Sequence, residues 1–370
     1  MRLTCVVGAR PNFMKIAPIL RHCEGVKGVQ TRLVHTGQHY DEQLSRTFFD
    51  ELNLPAPDAY LGVGSGTHAV QTAKVMIGFD DELAEHPADI VVVVGDVNST
   101  IACALVAVKR GIKVAHVEAG LRSRDLTMPE EINRILTDQI SDFLFTTERS
   151  ADDNLKAEGI PAGKIHFVGN VMIDTLLYYR PKSTTRSVLQ PLRLAPKTYA
   201  LCTLHRPSNV DNRSAATNTI SAVEALAERL PVVLPLHPRT RARLAEFGML
   251  DGLERSNRVS VMDPVGYLDF LALMDGARVV FTDSGGIQEE TTVLGVPCLT
   301  FRDNTERPIT VAEGTNRVIG TDAARVPAAI DAILNNGVAT HRVPELWDGR
   351  AAERIVSILL SSEGGRRGSA

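Results

Sequence analysis

Residues 281–290 read FTDSGGIQEE and mark a strand that is followed at once by a helix. The strand is predicted by the β-branched residues 279–280, and helical sequence begins directly after the two glycines. Backbone N–H groups at a helix N-terminus bind anions when no side chain blocks the approach, so residues 284–286 predict a phosphate-binding turn. The glutamates that follow would then lie near a ribose diol. A tight turn without a ligand is the alternative, because glycine pairs are common in turns.

Short β-rich runs alternate with helical patterns along the whole chain, which is typical of α/β proteins with parallel sheets. The run at residues 90–94 is apolar on both faces and predicts a central strand that is buried on both sides. The candidate strands are residues 3–7, 31–35, 90–94, 114–117 and 143–146, then 199–203, 232–236, 259–261, 279–282 and 298–301.

Between these two sets of strands, residues 179–186 are polar and are followed by Pro191 and Pro196. We interpret this stretch as an interdomain connection, and the length of 370 residues suits two domains. The predicted fold is therefore two Rossmann-like α/β domains with a cleft between them. The predicted N-terminal domain is residues 1–172 and the C-terminal domain is residues 173–360, with the last helix packing back on the N-terminal domain. We expect residues 361–370 to be a disordered tail.

The composition excludes several classes of protein. A net charge of −4 gives no basic footprint for nucleic acid or anionic lipid. Five scattered cysteines indicate neither a disulfide framework nor a zinc site. We find no signal peptide and no apolar run long enough to span a membrane, so we expect a cytoplasmic protein. Residues 62–66 lack the Gly-x-Gly-x-x-Gly spacing, so we expect no nicotinamide cofactor, and no metal cluster is evident.

Polar side chains follow several of the predicted strands, where open parallel sheets bind ligands. Asp96 alone could be a helix cap, and His205 or His237 alone could be structural. Glutamate is a poor N-cap residue, so Glu118 is harder to explain in that way. Together these residues favour a site, and they are Asp96, Glu118, His205, His237 and Asp283.

Glu131 lies in a segment with two distinct helical faces. Ile132 and Leu136 belong to an apolar stripe, whereas Glu131, Arg134 and Asp138 share another face. From spacing alone, the interpretation is a solvated helix start in which acidic residues complement the helix dipole.

Seven motifs resemble the non-hydrolysing UDP-N-acetylglucosamine 2-epimerases, in the same order, from about residue 5 to residue 320. Taken together, motifs of this length are highly specific. They are residues 8–15 (GARPNFMK), 36–39 (TGQH), 95–96 (GD), 116–122 (HVEAGLR), 129–134 (PEEINR), 205–206 (HR) and 282–290 (TDSGGIQEE).

The resemblance implies the glycosyltransferase-B arrangement of the two domains, a homodimer, and no cofactor. It implies reversible C2 epimerisation of UDP-N-acetylglucosamine to UDP-N-acetylmannosamine, by elimination of UDP to a 2-acetamidoglucal and re-addition. The positions that match the family's catalytic residues are Asp96, Glu118, Glu131 and His205. Those that match nucleotide- or phosphate-contacting positions are Arg10, Lys15, Ser284, Gly285, Gly286 and Glu290, and we add Arg206 beside His205.

Two departures from the family pattern stand out. Ser208 replaces the glutamate that is common two residues after His-Arg. Residues 38–41 and 64–68 differ from the second-site pattern of relatives that their own substrate activates, so we predict no such activation.

Rival functions remain open, and one of them is a nucleotide-sugar-binding module without catalysis. Other stretches resemble enzymes that epimerise UDP-2,3-diacetamido-2,3-dideoxyglucuronate, whose carboxylate Arg239 or Arg241 could bind. A glycosyltransferase of the same fold is another rival, because the same kind of glycine turn serves both classes of enzyme.

Overall fold

The computed structural model describes residues 1–37, 51–336 and 341–364. The chain divides into two compact units, one formed by Met1–Thr175 with Glu345–Ala370 and the other by Leu176–Pro344. Each unit contains one parallel sheet with helices between its strands. Of the described residues, no helix combines the length and the apolar character that crossing a membrane requires.

The sheet of the first unit has seven strands in the order β3-β2-β1-β4-β5-β6-β7, and every neighbouring pair is parallel. The central position of β4 follows from its sequence, because all five of its residues are apolar and at most 2% exposed. The strands are β1 (Arg2–Val7), β2 (Gln30–His35), β3 (Ala59–Tyr60), β4 (Ile90–Val94), β5 (Lys113–Ala119), β6 (Phe143–Thr146) and β7 (Ile165–Phe167).

The helices of this unit cover the sheet and bury an aliphatic core. Valines and small residues of β4 and the following helix form much of that core, including Val91, Val93, Ala102 and Cys103. The helices are α1 (Arg10–Cys23), α2 (His68–Glu85), α3 (Asn98–Lys109), α4 (Pro129–Ile140), α5 (Arg149–Ala157), the beginning of α6 (Val171–Ser183) and the C-terminal α15 (Ala351–Gly364), which packs against α1.

The second unit repeats this plan with six parallel strands in the order β10-β9-β8-β11-β12-β13. The strands are β8 (Ala200–Thr203), β9 (Val232–Pro235), β10 (Val259–Met262), β11 (Val279–Thr282), β12 (Cys298–Thr300) and β13 (Asn316–Val318). The helices are α7 (Pro207–Val210), α8 (Arg213–Ala227), α9 (Pro238–Glu246), α10 (Leu250–Glu254), α11 (Tyr267–Gly276), α12 (Gly285–Leu294), α13 (Ile309–Ala312) and α14 (Val326–Asn336).

Each sheet has one point at which the strand order reverses. In the first unit it lies between β1 and β4, and in the second between β8 and β11. Ligands of open α/β sheets bind beyond the carboxyl ends of the strands at such points. The segments after β1, β4, β8 and β11 therefore lie where a ligand is expected.

The stretch predicted as an interdomain connection begins inside a helix. Residues 179–183 form the last turn of α6, and the boundary between the two units falls inside that helix, between Thr175 and Leu176. Tyr179 is fully buried, and the Lys182 ammonium lies 5.0 Å from its ring centroid. Pro181 lies in the last turn of α6, where its missing backbone N–H helps to end the helix.

Candidate active site

The turn after β1 is fixed to the end of β4 by one side chain. The Asn12 side-chain oxygen accepts the N–H groups of Gly8 (3.1 Å) and Ala9 (2.9 Å), and its amide donates to the Val94 carbonyl (3.1 Å). Residues 8–15 and 95–96 are therefore held together at the switch point. Arg10 begins α1 there, but its side chain lies outside the described residues, as do Gln38, His39, Tyr40 and Asp41 of the predicted second-site pattern.

Glu118 lies at an irregularity of β5 with a left-handed backbone. The register between β5 and β6 shifts between Val117 and Ala119, and φ of Glu118 is 71°. A residue with a side chain adopts this conformation at a cost of about 1–3 kcal/mol, so the surrounding structure must hold it. The bulge turns the Glu118 carboxylate toward the Lys15 ammonium, 2.5 Å away, and both side chains are more than nine-tenths buried.

Gly95 makes room for this ion pair. Its φ is 67°, and a Cβ atom at this position would lie 2.9 Å from the Lys15 ammonium nitrogen. A larger residue would strain the backbone and displace Lys15. Gly95 therefore leaves space for the Lys15 side chain, and the residue that follows it is the charged Asp96.

Asp96 and Glu131 share one arginine. The Arg134 guanidinium contacts the Asp96 carboxylate at 2.5 Å and the Glu131 carboxylate at 2.5 Å. Arg134 is buried, whereas the Asp96 side chain keeps 24% of its surface exposed. Asp96 is thus oriented by a cation and remains partly open to solvent.

The Glu131 carboxylate accepts hydrogen bonds from two backbone N–H groups and one guanidinium. Its two carboxylate oxygens accept the backbone N–H groups of Ser123 (3.0 Å) and Arg124 (2.8 Å), in addition to Arg134. Burial by itself raises the pKa of Glu131, but these N–H groups and the guanidinium outweigh it and hold the pKa below its usual value. The geometry indicates that Glu131 positions Arg134 and the preceding loop.

The spacing-based interpretation of α4 as a solvated helix start is wrong. Glu131, Arg134 and Asp138 are at most 2% exposed, whereas Ile132 and Leu136 of the apolar stripe are 45% and 49% exposed. The helix directs its charged face inward because Asp96 and the turn after β5 supply charged and hydrogen-bonding partners there. The apolar stripe is left at the surface.

In the second unit, Asp283 organises the segment after β8. This fully buried carboxylate accepts the backbone N–H groups of His205 (3.0 Å) and Arg206 (2.9 Å) and the side-chain amide of Asn209 (3.0 Å). The Arg206 Nε–H donates to the Asp283 carbonyl at 2.9 Å. The His205 side chain remains 42% exposed, so it is presented to solvent on a fixed backbone.

The Ser284-Gly285-Gly286 turn has the predicted strand-to-helix geometry. β11 ends at Thr282, Ser284 is the N-cap residue, and α12 begins at Gly285. A Cβ atom on Gly285 would lie 2.6 Å from a Glu306 carboxylate oxygen and 2.8 Å from the Arg307 guanidinium. A larger residue at this helix start would therefore displace the Glu306 and Arg307 side chains.

A buried charged cluster supports this turn, and it combines Glu289 with three residues that the sequence reasoning missed. Glu306 contacts Arg302 at 2.8 Å and Arg307 at 2.7 Å, and Arg307 contacts Glu289 at 2.9 Å. Burial by itself raises the pKa of Glu306, but the two guanidinium groups outweigh it and hold the pKa well below its usual value. Because the Glu289 carboxylate is paired with Arg307, it is less suited to bind a ribose than the prediction assumed.

Glu290 is the second glutamate of this pair and has a different environment. It is buried and accepts a hydrogen bond from the Tyr267 hydroxyl at 3.0 Å. Burial raises the pKa of Glu290 to about 8, with a further contribution from Glu289, although the Tyr267 hydrogen bond lowers it.

This shift predicts a pH-dependent stability. The folded chain holds the Glu290 proton up to about pH 8, whereas an unfolded glutamate loses it near 4.5. The stabilisation from this group is therefore complete below pH 4.5 and is lost as the pH rises to 8. We expect Glu290→Gln to match the wild type in unfolding free energy near pH 4.5 and to exceed it at pH 8.5, as measured by urea unfolding followed by circular dichroism.

The exposed Glu224, changed to glutamine, is the control for this prediction and should show no pH-dependent difference from the wild type. An unfolding free energy of Glu290→Gln that stays parallel to the wild type from pH 4.5 to 8.5 would contradict the prediction.

Within the described ranges, no group of three or more His, Cys, Asp or Glu side chains is placed to hold a metal ion. The candidate residues gather instead at the two switch points. Lys15, Asp96, Glu118 and Glu131 lie at the first, and His205, Arg206, residues 284–286 and Glu290 lie at the second.

Two Rossmann-like units with polar residues at both switch points define the class of this α/β protein, and comparison with known proteins defines its family. A sequence profile described as UDP-N-acetylglucosamine 2-epimerase matches residues 21–360. The UDP-N-acetylglucosamine 2-epimerase of Methanocaldococcus jannaschii is 42% identical over 97% of this chain and 99% of that protein. The chain belongs to the UDP-N-acetylglucosamine 2-epimerase family.

Two further comparisons bear on fold and substrate. The crystal structure of the M. jannaschii enzyme in complex with UDP-GlcNAc and UDP matches with a TM-score of 0.91, covering 98% of this chain and 100% of that one. The UDP-2,3-diacetamido-2,3-dideoxy-D-glucuronate 2-epimerase of Pseudomonas aeruginosa is 40% identical over 97% of this chain and 99% of that protein. The predicted fold class, two parallel-sheet domains of the glycosyltransferase-B type, is confirmed, and so is the enzyme class, an isomerase.

Proposed function

We propose that this enzyme interconverts UDP-N-acetylglucosamine and UDP-N-acetylmannosamine by eliminating UDP and adding it back. The observation that carries this proposal is the pair of carboxylates Asp96 and Glu118, which contact two different cations, Arg134 and Lys15, at one switch point. A reaction that removes a proton from one face of a sugar and returns it on the other needs acid–base groups of this kind.

The chemistry explains why UDP must leave. The C2 hydrogen of the sugar is not next to a carbonyl carbon, so its direct removal is slow. In the elimination, a base takes the C2 proton, the C1–C2 double bond forms, and the C1–O bond breaks with its electron pair leaving on UDP. In the return step, a proton adds to C2 on the opposite face, and the UDP oxygen bonds to C1 again. The intermediate is a 2-acetamidoglucal.

The two carboxylates suit these proton transfers for different reasons. Asp96 is oriented by Arg134 and remains partly exposed. Glu118 is set by its left-handed backbone and by Lys15. We assign them the acid and base roles jointly, and we assign Glu131 the positioning of Arg134.

The second unit supplies groups that suit the departing diphosphate. Negative charge develops on that group as the C1–O bond breaks, and preorganised donors stabilise it. We propose the backbone N–H groups at the start of α12, together with His205 and Arg206, for this role. Glu290 is our candidate for the ribose hydroxyls.

The diacetamido-uronate is the rival substrate, and the Pseudomonas relative favours it. Its carboxylate requires a cation, for which the sequence suggested Arg239 or Arg241. Arg239 contacts Asp211 at 3.0 Å, and Arg241 contacts Glu254 at 2.8 Å and Asp263 at 3.3 Å. Since acidic side chains already engage both arginines, we favour UDP-N-acetylglucosamine.

Parallel incubations with the two nucleotide sugars, followed by proton NMR, test this choice. We expect UDP-N-acetylmannosamine to form from UDP-N-acetylglucosamine at a kcat/KM at least tenfold above that for the diacetamido-uronate. A reversed preference would contradict the proposed substrate but not the proposed reaction. The absence of product from both sugars would overturn the proposed function.

We propose that the exposed apolar side chains of α2 and α4 form a homodimer interface. Both helices pack against α3, and they expose Val70, Ile77, Ile132 and Leu136 by 45–67%. Exposed apolar side chains on helices that flank a common helix suit an association surface. We expect a dimeric mass in light scattering that Ile77→Glu or Leu136→Glu reduces to that of one chain.

Val311→Glu is the matched control, because Val311 is a similarly exposed valine of the second unit, and it should leave the dimer intact. A monomeric wild type, or dimers that survive both glutamate substitutions, would contradict the proposed interface.

We propose a cytoplasmic location from the state of the thiols. The five cysteines are free and buried, and burial raises the pKa of Cys23 to about 11. Free thiols are usual in reducing compartments, where disulfides are rare. Recovery of the chain in a secreted fraction of its native cells would contradict this location.

A further inference from the structure

We propose that Asp138 and His116 form a buried brace that positions both Asp96 and Glu118, with His116 held as an imidazolium. The two side chains are fully buried and are bound to each other and to backbone groups, so we assign them no contact with a substrate. They are positioning residues. This inference rests on the proposed function, because it concerns the two carboxylates to which that function assigns the proton transfers.

Both ring nitrogens of His116 face hydrogen-bond acceptors. Nδ1 lies 2.7 Å from an Asp138 carboxylate oxygen, and Nε2 lies 2.8 Å from the Gly95 carbonyl oxygen. A neutral imidazole carries one N–H group and could satisfy only one of these partners. A doubly protonated ring donates to both acceptors, and the Asp138 carboxylate then balances its charge.

Asp138 is suited to balance that charge. Burial by itself raises the pKa of Asp138, but His116 and the Arg122 guanidinium outweigh it and hold the pKa below its usual value. Its second carboxylate oxygen accepts the Gly120 N–H at 3.1 Å and contacts Arg122 at 2.8 Å. Asp138 thus remains ionised and binds a second segment of backbone.

The two ends of the brace meet the backbone next to the two carboxylates. Gly95, bound by His116, immediately precedes Asp96, and Gly120, bound by Asp138, lies two residues after Glu118. Both glycines have positive φ angles, 67° and 79°. A single salt bridge therefore ties together the two turns from which Asp96 and Glu118 project.

The brace also explains how Glu118 keeps its unfavourable backbone. Residues on both sides of it, His116 and Gly120, are bound to the same Asp138 carboxylate. Gly120 is further confined, because a Cβ atom there would lie 2.6 Å from the Ala151 carbonyl oxygen. Without Asp138 the bulge would be free to relax, and the Glu118 carboxylate would move with it.

Kinetics of Asp138→Asn test the brace. Removing the charge should release both turns while leaving the second unit unchanged. We expect kcat to fall about 10²-fold, as misplacement by about 1 Å can cause, with KM within about threefold. We also expect more UDP and free 2-acetamidoglucal to escape per turnover, because the misplaced acids no longer return the proton efficiently.

Asp142→Asn is the matched control. The Asp142 carboxylate accepts the Val114 N–H at 2.9 Å, so it fastens the opposite end of the same strand. This variant should retain the kcat of the wild type and its low release of the glucal. If Asp138→Asn and Asp142→Asn behave alike, the brace is refuted.

Nitrogen-15 NMR of the wild-type His116 ring provides a test that needs no variant, in case Asp138→Asn does not fold. We expect two slowly exchanging ring protons and imidazolium nitrogen shifts, whereas a neutral ring would overturn the brace. If the wild type shows no epimerisation, the proposed function fails, and the NMR result still decides the protonation of His116.

Discussion

Asp96→Asn and Glu118→Gln are each expected to lower kcat for C2 epimerisation by about 10²–10⁴-fold, the usual contribution of a general acid or base. Both amides keep the shape of the side chain and can still accept a hydrogen bond from Arg134 or Lys15, but neither can exchange a proton with the sugar. Formation of UDP-N-acetylmannosamine, followed by NMR, measures this loss.

Binding of UDP should separate catalysis from recognition in these variants. The groups that we assign to the diphosphate belong to the second unit, so the Kd for UDP measured by calorimetry should change by less than about threefold. Glu130→Gln is the matched control, because this exposed neighbour of Glu131 has no role in the proposal. Wild-type turnover in either amide variant would remove that residue from the catalytic assignment.

The second large effect concerns stability. Lys15→Met should lower the free energy of unfolding of the first unit by about 3–5 kcal/mol, because it leaves the buried Glu118 carboxylate without its cation. Lys15→Met combined with Glu118→Gln should recover much of this loss, since no charge is then buried alone. The only tryptophan of the chain, Trp347, is buried in this unit, so its fluorescence during urea unfolding reports the relevant transition.

Arg2→Met is the control for the loss of an ion pair in the same unit. Arg2 contacts Asp89 at 2.7 Å, but both side chains are substantially exposed, and exposed pairs contribute about 0–1 kcal/mol. Equal destabilisation by Arg2→Met and Lys15→Met would show that the buried Lys15–Glu118 pair contributes no more stability than an exposed ion pair.

Much of the fold followed from local sequence. The ten predicted strands all form, because most are short runs of apolar residues rich in β-branched or aromatic side chains. Three short strands were missed, namely Ala59–Tyr60, Ile165–Phe167 and Asn316–Val318, and each lies at the edge of its sheet. An edge strand buries less surface and needs less apolar sequence, so periodicity gives little sign of it.

The site was only partly predictable. Glycine turns and acidic residues after strands pointed to residues 284–286, Asp96 and Glu118. The orientation of α4 was not accessible, because hydrophobic spacing assigns the apolar stripe to the core, whereas Glu131 and Arg134 occupy that position. Partners distant in sequence, such as Glu306 with Gly285 or Asp138 with Gly120, required the strand order and the three-dimensional packing.

Incubation with UDP-N-acetylglucosamine in D₂O, without any acceptor, tests the central claim most directly. We predict deuterium at C2 of the nucleotide sugars, together with the appearance of UDP-N-acetylmannosamine, since elimination and re-addition exchange that hydrogen with solvent. The absence of both deuterium and the manno product, as a glycosyltransferase or a binding protein would give, would contradict the account. Release of free N-acetylmannosamine with UDP would instead reveal a hydrolysing reaction and would equally contradict it.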